Sequence, residues 1–119
     1  MNILLVNDVS NILEGEEIVV LKVLGEGTKV FKAESPAKAI EIVKENDIDI
    51  AIIDVELARE NGIETSKMIK EIKPEIKIII TSGDQNYEAE AMAAGASYFI
   101  SMPVTVDNLK KCLQEIFHH

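Results

Sequence analysis

Residues 48–62, IDIAIIDVELARENG, pass from an apolar run into a polar loop at Asp54. Every residue from 50 to 53 is apolar and three are isoleucine, which is too short for an ordinary helix and too uniform for a strand with one wet face. The pattern predicts a central strand buried on both faces. A carboxylate at the carboxyl end of such a strand costs little only where it opens into a crevice, and open α/β sheets bind their ligands in crevices at strand ends. On this stretch alone Asp54 reads equally as a site residue and as a turn or helix-capping aspartate, which is common after a strand.

Outward from that segment the same grammar repeats. Residues 3–6 form an apolar run ended by Asn7 and Asp8, a first strand with polar side chains at its carboxyl end. Ser10 is placed to cap a helix over 11–24, with Ile12, Leu13, Val20, Leu21, Val23 and Leu24 mostly at helical spacing and Gly25 as its stop. Gly15 and the β-branched cluster at 18–20 work against that helix. Residues 29–33 predict a short strand. Ser35 followed by Pro36 is an N-cap and N1 proline, opening a helix to about residue 46 with Ala39, Ile40 and Val43 inward.

Beyond the Asp54 loop, Ile63, Met68, Ile69 and Ile72 mark a helix that Pro74 ends. Residues 77–81 are the next apolar strand. The alanine-rich stretch 86–94 predicts a helix with Gly95 as a left-handed cap. Residues 98–102 are a fifth strand closed by Pro103, and Thr105 caps a last helix carrying Leu109, Cys112, Leu113 and Ile116. His118 and His119 read as a frayed end or the remnant of a purification tag.

Five strands alternating with five helices through short connections require a doubly wound parallel sheet with helices on both faces, because βαβ crossovers are right-handed and cover the sheet. In such a sheet Asn7, Asp8, Asp54, Thr81 and Met102 lie along one edge. Two carboxylates meeting there have repulsion to relieve, and a bound cation relieves it, which favours the site reading of Asp54.

Composition bounds the rest. The 119 residues suit one domain, 1–119, and 47% hydrophobic with 28% charged residues is a globular composition. A formal net charge of -9 argues against direct nucleic-acid binding and suits a cation site or a basic partner surface. No apolar run approaches membrane-spanning length and no signal peptide opens the chain, so no membrane association and a cytoplasmic location are expected. Cys112, the single cysteine, is expected to pack in the core. No linker or effector region follows Phe117, so a stand-alone regulator or an excised domain is expected.

These features together resemble the receiver domain of two-component response regulators. The resemblance rests on the 6–8 strand end (Val-Asn-Asp), Asp54 with Gly62 eight residues on, Thr81 and Ser82 closing the fourth strand, the Gly-Ala-Ser turn at 95–97, and the Met102-Pro103 step. It implies a flavodoxin-like (βα)5 domain in which Asp54 accepts a phosphoryl group from the phosphohistidine of a sensor histidine kinase or phosphotransfer protein. It implies Asp8 as a Mg2+ ligand, with Asp54 and the carbonyl of Glu56, and Asn7 beside them. Thr81 is similar to the family's switch residue, Ser82 to the small residue walling the phosphoryl approach, and Phe99 to the aromatic that follows Thr81. An aromatic in a fifth strand is also ordinary core. The implied output surface is residues 86–117, read by an output domain or target protein, and the implied domain is no conventional enzyme although it can catalyse its own phosphorylation.

Two positions depart from the family pattern. Asn7 stands where a second acid is usual, and Met102 stands where a lysine precedes the fifth-strand proline; the two changes cancel in net charge. Methionine offers neither charge nor donor to a phosphoryl group. Leu57 and Ala58 replace a frequent methionine and proline, and Arg59, the chain's only arginine, is either a solvated loop residue or a substitute phosphoryl partner. Two functions therefore stand side by side: a phosphorylated switch, and a pseudo-receiver that binds partners by shape and acidic surface. A flavin-binding or aspartyl-phosphatase enzyme is disfavoured, since no phosphate cradle follows the first strand and the phosphatase's lysine is absent.

Overall fold

The computed structural model describes residues 1–57 and 59–117, so Ala58, His118 and His119 lie outside the described residues. Five parallel strands, β1 (Asn2–Val6), β2 (Lys29–Ala33), β3 (Ile50–Asp54), β6 (Lys77–Ser82) and β7 (Tyr98–Ser101), form one sheet in the order β2-β1-β3-β6-β7. This is the expected doubly wound architecture. The three middle strands are rich in isoleucine, leucine and valine because both their faces are covered. Period-two alternation divides them: Leu4, Val6, Ala51, Ile53, Ile78 and Ile80 belong to one core cluster, and Ile3, Leu5, Ile50, Ile52 and Ile79 to the other.

Helices α1 (Ser10–Leu24) and α5 (Val106–Phe117) pack on the second cluster through Leu13, Val20, Leu109, Cys112 and Ile116. On the first cluster lie α2 (Pro36–Glu45), α3 (Gly62–Ile72) and α4 (Glu88–Ala93), through Ala39, Ile42, Val43, Ile63, Ile69 and Ala91. Each helix supplies one apolar stripe. The chain turns one way from β1 to β2 and the other way to β3, so the switch point falls between the carboxyl ends of β1 and β3. No helix of the described residues is long and apolar enough to cross a membrane.

Several local expectations hold. Ser35 Oγ accepts the Lys38 N–H at 3.2 Å ahead of Pro36, and Thr105 and Asn108 exchange two hydrogen bonds at the start of α5. Gly95 has φ 102°. Cys112 is fully buried, and burial pushes its thiol up to about 12, which makes it a packing residue.

Others are corrected. Val9, not Ser10, holds the N-cap position of α1, and the local bond comes from Asn7, whose Oδ1 accepts the Val9 N–H at 2.9 Å. The 86–94 helix is a 3-10 turn, Gln85–Tyr87, followed by α4 from Glu88, because Asp84 Oδ1 accepts the Asn86 N–H and tightens the entry. Leu21 and Met68 fit a helical count yet are 36% and 43% exposed, each beside rather than on its buried stripe. The fifth strand ends at Ser101, although the Met102 N–H still donates to the Ser82 carbonyl at 2.9 Å. The loop after Asp54 also holds an unforeseen hairpin of two two-residue strands, β4 (Glu56–Leu57) and β5 (Glu60–Asn61).

Candidate functional site at the carboxyl edge of the sheet

Strand register brings the site together. Val6 pairs with Ile53 and Asp54 with Thr81, so the residues just past β1 and those ending β3 and β6 share one edge. Asp54 is only 8% exposed, and the Thr81 hydroxyl, itself fully buried, donates to its Oδ1 at 3.3 Å. Burial pushes the Asp54 carboxyl from 3.8 up to about 7; the charge of Glu56 and then that of Asp8 add to the rise, and the Thr81 bond opposes it. No lysine stands at the end of β7 to offset this.

The loop is clamped onto β3 by its backbone. The Val55 N–H donates to the Thr81 carbonyl at 2.9 Å, and the Val55 carbonyl accepts from Leu57 and Gly62 at 3.0 and 2.9 Å. A Cβ at Gly62 would lie 1.8 Å from the Asp54 carbonyl oxygen, so glycine is required there by close approach. Ser82 donates to Glu56 Oε1 at 2.5 Å and accepts the Asp84 N–H at 2.9 Å, tying the hairpin to the end of β6. The receiver resemblance implied Glu56 through its carbonyl; its carboxylate also bonds Ser82 and adds to the rise at Asp54.

Asp8 is partly buried and lines a cavity of about 220 Å3 with Ser35, Leu57, Arg59 and Glu60. Arg59 is exposed at that mouth. Asn7 is 1% exposed; its Oδ1 is engaged by Val9, and its Nδ2 has no hydrogen-bond partner among the described residues. Phe99 is half-buried against the first core cluster. Met102 departs from the expected crevice, since its side chain packs with the α1 and α5 layer.

Sequence reasoning missed Glu16. It lies on α1 at 4% exposure, Oε2 has no partner among the described residues, and burial followed by the Asp54 charge pushes its carboxyl up to about 8. Its position, three residues after Leu13 and four before Val20, places it on the buried stripe, the one available signal.

Among the described residues no three His, Cys, Asp or Glu side chains gather to hold a metal. Asp8 and Asp54 with a backbone carbonyl nevertheless form a hard oxygen set of the size Mg2+ uses while keeping several waters. The raised Asp54 carboxyl marks the uncompensated negative charge that such an ion would relieve. The residues present fit the ion.

A buried strand-end aspartate, a hydroxyl partner on the neighbouring strand and a second acid after β1 lie along one edge of the β2-β1-β3-β6-β7 sheet. The sequence matches the response regulator receiver domain family over residues 3–114, and the chain belongs to that family. It is 34% identical over 97 residues to the transcriptional regulatory protein ZraR of Escherichia coli, covering 80% of this chain but 22% of that protein's length. It is 33% identical over 88 residues to the chemotaxis protein CheY of Bacillus subtilis, covering 72% and 73% of the two chains. Among solved structures, a receiver domain protein from Clostridium thermocellum superposes with a TM-score of 0.84 at 28% identity, covering 97% of this chain and 92% of that one. The response regulator TrrA of Thermotoga maritima, solved with Mg2+ and BeF, gives 0.84 at 25% identity over 98% of both chains.

Proposed function

We propose that this receiver domain accepts a phosphoryl group on Asp54 from the phosphohistidine of a sensor histidine kinase or phosphotransfer protein, in the cytoplasm. The observation that carries the reading is the Asp54 carboxylate at the end of β3, hydrogen-bonded by Thr81 and facing a second acid, Asp8. Asp8, Asp54 and the Glu56 carbonyl would hold Mg2+, with the Asn7 oxygen lending its second lone pair. The bound ion supplies the positive charge that lets a carboxylate approach an anionic phosphoryl group.

The chain's own residues do the rest. The Asp54 oxygen attacks phosphorus and the donor's nitrogen or oxygen leaves with the bond pair. Ser82, small and fixed by Glu56, leaves that approach open. Thr81 exchanges its bond to Asp54 for one to a phosphoryl oxygen, drawing the end of β6 inward, and Phe99 follows, so that the surface of residues 86–117 changes for an output domain or target protein. With a small phosphodonor the same groups would catalyse self-phosphorylation.

A pseudo-receiver is the second reading, and Met102 and Asn7 favour it, since the site lacks the lysine that would pair with phosphoryl oxygens. Incubation with acetyl phosphate and Mg2+, read by intact mass, separates the two. The first reading expects uptake of one phosphoryl group, lost with chelator; the second expects none.

A further inference from the structure

A groove of about 420 Å3 lies between α1 and the segment after β7, lined by Ile12, Glu16, Val19, Met102, Pro103 and Val104. Its named walls are apolar except for Glu16. That side chain is nine-tenths buried and more, and its Oε2 has no hydrogen-bond partner among the described residues. A buried carboxylate with an idle acceptor is costly unless a donor reaches it. The phosphoryl-transfer scheme makes no use of it.

We propose that this groove binds a small primary alkylammonium ligand, its ammonium against Glu16 and its methylene stem along Val19, Met102 and Val104. An ammonium carries three donors and no acceptor, the complement of an acceptor-only carboxylate. The volume lies in the range of small-ligand sites, room for a whole ligand rather than one intruding side chain. A net charge of -9 concentrates cations at the surface and repels the carboxylates and phosphates that would compete.

The test is titration of the full chain with n-hexylammonium above pH 8, where Glu16 gives up its proton, followed by NMR and by melting temperature. Saturable shifts confined to α1 and residues 102–104, with a rise in melting temperature, are expected. Glu16→Gln should weaken binding about tenfold or more, 1-hexanol should bind as weakly to wild type, and Glu41→Gln, exposed on α2, should leave affinity unchanged. No saturation in the millimolar range, or equal binding by 1-hexanol or by Glu16→Gln, overturns the site. Uptake of Nα-acetyl-lysine methylamide without uptake of n-hexylammonium overturns the free amine as occupant in favour of a partner's lysine.

Discussion

Thr81 donates its hydroxyl proton to Asp54 Oδ1 across directly paired positions of β6 and β3, at 3.3 Å and with both side chains buried. The bond is long for two oxygens, and it holds the hydroxyl on the carboxylate it would leave on phosphorylation. On the proposed reading it joins the phosphoacceptor to the switch residue.

Burial and neighbouring acids set the pH response. The Asp54 carboxyl is raised from 3.8 to about 7 and Glu16 from 4.5 to about 8. Both folded values lie above the unfolded ones, so the folded chain keeps protons that the unfolded chain releases. The associated stability is fully present below about pH 4 and is lost as pH rises through 7 to 8. Metal-free protein should melt progressively lower from about pH 5 to pH 8. Asp54→Asn, Asp54→Ala and Glu16→Gln should each melt higher than wild type at the upper end, with a flatter profile. A lower melting temperature for both Asp54 variants would make Asp54 a structural acceptor instead.

Divalent cation should reverse part of that loss. Millimolar-range Mg2+ should raise the melting temperature above neutral pH and shift the amide signals of Asp8, Asp54 and Glu56, since two carboxylates gain from a shared cation. Asp8→Ala should abolish both responses. Unchanged spectra and melting temperature in wild type would remove the metal from the scheme.

Gly62 carries a purely steric prediction. A methyl at this position meets the Asp54 carbonyl oxygen at 1.8 Å, and backbone rather than a flexible side chain must give way. Gly62→Ala should cost about 1–3 kcal/mol or more in denaturant unfolding and disturb Asp54 signals first. An unaltered midpoint would mean the β4–β5 hairpin is looser than its hydrogen bonds to Val55 require.

The architecture was legible because buried parallel strands write themselves as short isoleucine and valine runs, and because Ser35-Pro36, Gly95 and Thr105 punctuate the helices with specific chemistry. Asp54 was legible from its place at the end of the most uniformly apolar run. The β4–β5 hairpin was not, since two residues a side carry no periodicity. Glu16 was not, because a glutamate on a helix reads as solvated until the fold buries that face of α1 beside residues 102–104. The α1 cap was misread because Asn7 reaches across to Val9, leaving Ser10 inside the helix.

On the proposed reading, Met102 in place of a lysine weakens switching. A lysine contact to the phosphoryl group would contribute roughly 1.5–3 kcal/mol, and a two-state element moves only by the difference its states feel. Thr81 and Phe99 should stay more often in their resting positions in phosphorylated wild type. Asn7→Asp with Met102→Lys should increase both phosphoryl uptake and the NMR shifts across residues 86–117. A revertant as inert as an inert wild type, or a wild type that already switches fully, would contradict this.

The phosphoacceptor itself is tested by trapping. After incubation with acetyl phosphate and Mg2+, borohydride reduces an acyl phosphate and converts the aspartate that carried it to homoserine, which peptide mass spectrometry locates. The account predicts homoserine at position 54 in wild type, none in metal-free protein, and none anywhere in Asp54→Asn. Homoserine at another acid, or no trapped product in wild type under conditions where Mg2+ is bound, would contradict it.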